Sequence, residues 1–203
     1  MSDRSQKYPV TDEEVPTTVG TAEDHGWFRW KEVEKYCLPG HRLFRSSSPN
    51  YKTPLEDPID GGDRSQRLTQ DAVNWLTKNK INSLISFNQF SYKPEELDLL
   101  KEANITYWHY GTKDFTSPSI ENLKNAAKFH AGFEGAVTLV HCGYGHGRTG
   151  TGISAIQLYA EDGNLPTMEG WIVENRVELR AKGQIESLQE LAEYYKENPH
   201  PRD

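Results

Sequence analysis

Residues 136–141 (AVTLVH) run without a break into Cys142-Gly-Tyr-Gly-His-Gly-Arg148, and a helical stretch follows at once over 148–161. This junction constrains the fold more than any other feature. A short, continuously apolar run is the pattern of a central strand covered on both faces. A strand passing through glycines into a helix is the repeating unit of a sheet whose strands lie parallel. The rest of the chain fits that unit. Arg42–Ser46, 81–87 and 105–110 read as strands. Thr69 can cap a helix whose Ala72, Val73 and Leu76 share one face, and further helices are expected over 94–103, 119–131, 166–181 and 184–196. Ile120, Leu123, Ala127 and Phe129 form the inner face of the 119–131 helix. The expectation is an α/β fold: a single-domain, three-layer sandwich with a mostly parallel central sheet flanked by helices.

A chain of 203 residues suits one such domain. Residues 1–24 lack periodic apolar positions and read as a polar tail, leaving 25–198 for the folded domain. Between them and the first helix, residues 50–67 carry two prolines, two glycines and several charges, the composition of a long loop. The net charge of −7 disfavours a long nucleic-acid backbone as partner, since that binding needs basic surface. No apolar run has the length of a membrane span, and the first residues hold no secretory h-region. Two cysteines, Cys37 and Cys142, fit a reducing, cytoplasmic compartment better than a disulfide framework, and export without such a signal stays compatible. The histidines and carboxylates show no metal-ligand spacing, so neither metal nor other cofactor is expected.

The chemistry concentrates in residues 141–150. Gly143, Gly145 and Gly147 let successive backbone N–H groups turn toward one centre, and such a nest binds phosphate. The following helix adds its N-terminal amides and dipole. A thiolate at Cys142 would be stabilised there, and Arg148 offers a planar fork suited to two phosphoryl oxygens.

His-Cys-x-x-Gly-x-x-Arg-Thr-Gly over 141–150 resembles, without a gap, the signature of the protein tyrosine and dual-specificity phosphatase superfamily. The stretch from Trp27 to Tyr51 and the segment 183–189 are similar to small atypical dual-specificity members. The resemblance implies the cysteine phosphatase fold and hydrolysis of a phosphoric monoester through a cysteinyl-phosphate. It casts Cys142 as nucleophile, Arg148 as phosphoryl grip, Thr149 as an aid to thiolate departure, and 143–148, with Tyr144 and His146, as the cradle. His141 would hold the loop by hydrogen bonding, Arg45 would support it from the preceding strand, and Gln189 is the candidate for ordering the hydrolytic water.

Asp114, 28 residues before Cys142 in Lys-Asp-Phe-Thr-Ser-Pro, sits where relatives carry the general acid. It could instead cap the 119–131 helix, in which case Asp57, Asp60 and Asp63 of the long loop are the next sources of a proton. A proton on His146 would add charge for a multiply phosphorylated substrate, whereas a solvent-facing ring would not. Trp27, Trp30, Trp108 and Trp171 read as core. The expected partner is a phosphorylated protein or a small phosphorylated molecule. Phosphoinositides, inositol phosphates and RNA 5′-triphosphate ends are alternatives from the same resemblance. A phosphate-binding pseudophosphatase, or a fold reused for other chemistry on a phosphorylated metabolite, are the rivals.

Overall fold

The computed structural model describes residues 20–199 apart from 165–167, 179 and 182. Most of the expected 1–24 tail therefore lies outside the described residues. Its last part packs down: Ala22 is buried, and a 3-10 turn over Glu23–His25 leads to the fully buried Trp27.

Five strands form one sheet in the order β1-β2-β5-β3-β4: β1 (Lys31–Val33), β2 (Arg42–Ser46), β3 (Ser83–Ser86), β4 (Thr106–His109) and β5 (Val137–His141). Every pairing is parallel except the antiparallel β1–β2 edge. Alternation along each strand splits its side chains between two cores. Leu43, Ile85 and Val140 enter one core with α3 (Ile120–Gly132), α4 (Gly147–Ala160) and α6 (Gln184–Glu197). Phe44, Leu84 and Leu139 enter the other with Trp27, α1 (Gln70–Lys78) and α2 (Pro94–Glu102). That double coverage explains why β5 reads as continuously apolar, and it makes three layers. A further helix, α5, spans Met168–Val173.

The helix starts follow local chemistry. Thr69 Oγ1 accepts from the Ala72 N–H at 3.2 Å to cap α1, and Ser119 Oγ accepts from the Asn122 N–H at 3.1 Å to cap α3. Each cap offsets the helix's unpaired amides, a contribution of about 1 kcal/mol.

Two expectations need correction and one needs extension. Trp108 is 47% exposed, because β4 is an edge strand with both faces partly open; it lies against Tyr110 and Phe129 instead of in the core. In α3 Leu123, Ala126, Ala127 and His130 are buried and Ile120 and Phe129 pack against the same core from its margin, so Ala126 and His130 are the additions to the expected inner face. The helix expected over 166–181 is only α5. Asn175 then turns inward, its Nδ2 donating to Ser154 Oγ at 2.8 Å and Gln157 Oε1 at 2.7 Å, which holds 174–178 as loop. No helix among the described residues is long and apolar enough to cross a membrane.

Candidate active site

Strand β5 ends at His141, and Cys142 follows at the C-terminal edge of the sheet, 2% exposed. That edge is where open α/β sheets hold ligands. The carbonyls of the next residues are all engaged from outside the loop. His141 Nδ1 takes Cys142 O at 3.0 Å, and the Ser48 N–H takes Gly143 O at 2.8 Å. Arg29 Nε takes Tyr144 O, Arg45 Nη2 takes Gly145 O at 2.8 Å, and the Gly150 N–H takes His146 O at 2.9 Å. With the carbonyls turned outward, the amides of the same peptides face the hollow. One is already in use: the Gly145 N–H donates to Cys142 Sγ at 3.3 Å. Gly145 adopts φ +95°, and a Cβ there would meet Ser46 O and Ser47 N at 2.6 Å, so the turn against β2 needs glycine.

The supports are rigid. Burial pushes His141 down to about 4, so the ring is neutral at neutral pH. Cys142 O can only accept; Nδ1 therefore carries the proton, and Nε2 accepts from the Tyr92 hydroxyl at 2.9 Å. Arg45 is buried with its second hand on Asn175 O at 2.6 Å. Burial lowers its pKa to about 10, which leaves it charged at neutral pH.

Arg148, in the first turn of α4, is the convergence point. Its Nη1 and Nη2 donate to the two oxygens of Asp63 at 2.6 and 2.8 Å. Nη1 also reaches Thr112 O at 2.8 Å, and Nη2 reaches Asp114 Oδ1 at 2.7 Å. Burial opposes the Arg148 charge, but the Asp63 hydrogen bonds, with the charges of Cys142, Asp63 and Asp114, outweigh it and raise the pKa. Asp63 is itself fixed: the Gln89 N–H donates to its Oδ2 at 3.0 Å, and Asn88 Nδ2 to its carbonyl at 3.2 Å. A Cβ on Gly143 would fall 2.0 Å from Asp63 Oδ1, so the bare glycine makes room for this carboxylate.

Asp114 is brought to the site by the loop after β4 and remains half exposed. It does not cap α3, since Ser119 does that. Thr149 is buried and its hydroxyl has no hydrogen-bond partner among the described residues. Gln189 lies exposed on α6, and no hydrogen bond ties it to the loop among the described residues. The glutamine beside the cradle is Gln184, whose Nε2 donates to Thr116 O at 2.9 Å and whose Oε1 accepts from the Glu178 N–H at 3.1 Å, against Gly147. His146 is not a source of charge. Burial pushes it down to about 4, with Arg45, Arg29 and Arg176 adding to the effect. Sequence reading missed Gln184 and Tyr92 altogether and named Asp63 only as a fallback acid.

The model of the family described as Tc-R-P, "Polymorphic toxin system, DSP-PTPase phosphatase", matches residues 61–162, from the Asp63 loop through α4. That is just over half of the chain. The chain belongs to this family. It is a phosphatase of the dual-specificity and tyrosine type. Comparison with curated proteins finds no match. Among solved structures, the DSP-PTPase chain is similar to kinase associated phosphatase in a form whose catalytic cysteine is serine (17% identity, 85% of this chain and 96% of that one, TM-score 0.61). It is similar to PTPMT1 (17%, 80% and 96%, TM-score 0.56) and to the core catalytic domain of the PP-IP phosphatase SIW14 from S. cerevisiae in complex with citrate (20%, 82% and 84%, TM-score 0.53). At these identities the likeness establishes the shared fold.

Proposed function

We propose that this phosphatase hydrolyses phosphoric monoesters in two steps through a cysteinyl-phosphate. The observation that carries the reading is the Cys142 sulfur at the end of β5, taking the Gly145 N–H and lying within the field of the Arg148 guanidinium. The Cys142 thiolate attacks phosphorus, forming the S–P bond as the P–O bond to the leaving group breaks. The amides and Arg148 hold the equatorial oxygens as charge shifts onto them. Asp114 gives its proton to the leaving oxygen. Its carboxylate then takes a proton from water, whose oxygen attacks phosphorus. The S–P bond breaks, inorganic phosphate leaves and the thiolate is restored. Thr149, with its hydroxyl unpartnered, is the donor available to the departing sulfur.

Before this can happen Asp114 must release Arg148, and its single contact and half-exposed position support that movement. The free thiols of Cys37 and Cys142 support a reducing, cytoplasmic setting. Substrate candidates are a phosphoprotein or a small phosphorylated molecule. A structure of PTPMT1 in complex with PI(5)P and the PP-IP phosphatase SIW14 lend weight to the second.

Release of phosphate from para-nitrophenyl phosphate tests the reading. Cys142→Ser should lower turnover at least about a thousandfold while phosphate still binds, because only the covalent step is lost. Near-normal turnover in that variant would overturn it.

A further inference from the structure

We propose that the cleft between the β1 edge and the 174–178 segment is a second anion site, which takes another phosphate of a small, multiply phosphorylated substrate whose first phosphate lies in the cradle. The proposal rests on the cradle reading above and names the substrate class for it.

The cleft encloses about 570 Å³ and adjoins the cradle, because His146 of the cradle loop lines it. Three guanidinium groups surround that end: Arg29, Arg45 and Arg176. None has a carboxylate partner among the described residues. Arg29 spends Nε on Tyr144 O and lies 3.8 Å over the Tyr144 ring, while Arg45 spends its terminal nitrogens on two carbonyls. Arg176 is exposed and makes no hydrogen bond among the described residues. Two of the acids that line the cleft are already paired. Glu32 is held by Arg42 at 2.8 Å and Glu174 by Lys35 at 3.0 Å. Glu178, the acid that acts on His146, turns its Oε1 to the Arg180 N–H at 3.1 Å. Glu34 is the remaining carboxylate of the lining.

Arg29 and Arg176 both adopt left-handed conformations, φ 58° and 59°. A non-glycine residue there is uncommon. The two arginines stand on opposite walls of one cleft. Guanidinium groups without a carboxylate partner, gathered in one cleft, call for a planar or tetrahedral oxyanion, and a phosphate answers several at once. The charge that a protonated His146 would have offered is carried instead by these arginines, and the imidazole beside them is neutral.

The test uses the full chain, para-nitrophenyl phosphate as a one-phosphate substrate, and inorganic phosphate and inositol hexakisphosphate as competing ligands. Arg176→Ala should raise the inhibition constant of inositol hexakisphosphate about tenfold, the loss of one charge-assisted contact. It should leave kcat and KM for para-nitrophenyl phosphate, and the constant for inorganic phosphate, within about twofold. Lys101→Ala, a charge change on exposed α2 surface, is the control and should alter neither. Equal weakening of both ligands would mean that Arg176 serves the cradle alone. No weakening of the hexakisphosphate, or the same weakening from Lys101→Ala, would likewise overturn the second site. Calorimetric binding of inositol hexakisphosphate to Cys142→Ser, with and without Arg176→Ala, reads the cleft even if the wild type fails to turn over para-nitrophenyl phosphate. Failure of the cradle reading is thereby kept apart from failure of this one.

Discussion

Asp63 and Asp114 reach the same Arg148 guanidinium from two different loops. Asp63 comes from the 50–67 loop, offers both oxygens, and leaves only 8% of its side chain exposed. Asp114 comes from the loop after β4, offers one oxygen, and is 53% exposed. A buried, bidentate pair loses heavily if one partner goes, because the other is left charged and dry. A half-exposed single contact is cheap to break, since water and salt already compete for it. Under the proposed mechanism the difference divides the work: Asp63 would aim the arginine and stay, whereas Asp114 would swing away to carry a proton.

The largest expected effect breaks the comparison if it fails. Asp114→Asn should cost on the order of 10² to 10⁴ in turnover on an alkyl phosphate, whose leaving oxygen needs the proton. The loss should shrink with para-nitrophenyl phosphate, whose leaving group departs without one. Asp63→Asn should cost about 10 to 10² on both substrates alike, with weaker binding of inorganic phosphate, because the aim of Arg148 is lost and not a proton. Steady-state kinetics on the two substrates decides. Leaving-group dependence in Asp63→Asn and not in Asp114→Asn would reverse the roles.

The cradle was legible in the sequence because its parts are local. A buried strand followed by three glycines and an arginine within seven residues leaves few other geometries, and the backbone passes as expected from β5 through Cys142 into α4. Asp63 is 85 residues from Arg148 and lies in a stretch without periodicity, so no local pattern could pair them. Gln184 and Gln189 lie on one helix, and only tertiary packing decides which of them faces the cradle. Strand β1 is three residues long with none fully buried, too short for an alternation signal.

The fixed side of the site should also be visible in stability. Burial holds His141 at about 4 and His130 at about 3, below the usual value near 6.5 in the unfolded chain. The unfolded state therefore binds more protons as pH falls from about 6.5, and stability is lost in that direction, present in full above it. Each ring should cost roughly 2 kcal/mol between pH 7 and pH 5. Urea midpoints across that range measure the sum of these two and the more exposed His146, and NMR titration of the three rings assigns it. A ring that protonates near pH 6.5 in the folded protein would remove its share.

The smallest effect is the sharpest test of the clamp. Gly143→Ala adds only a methyl group, yet that carbon would fall 2.0 Å from Asp63 Oδ1, so the carboxylate must shift. After Asp63 the next atom met there belongs to Tyr51, at an ordinary 3.4 Å. Turnover of para-nitrophenyl phosphate should fall about tenfold, the equivalent of roughly 1.4 kcal/mol. If the methyl acts through Asp63, the same substitution in an Asp63→Ala background should cost at most about twofold, because nothing remains to be displaced. The two changes would then be non-additive, as expected of residues sharing one contact. Additive losses would mean that Gly143 is needed for the loop's own backbone, and that the carboxylate above it is a neighbour and not the clamp on Arg148.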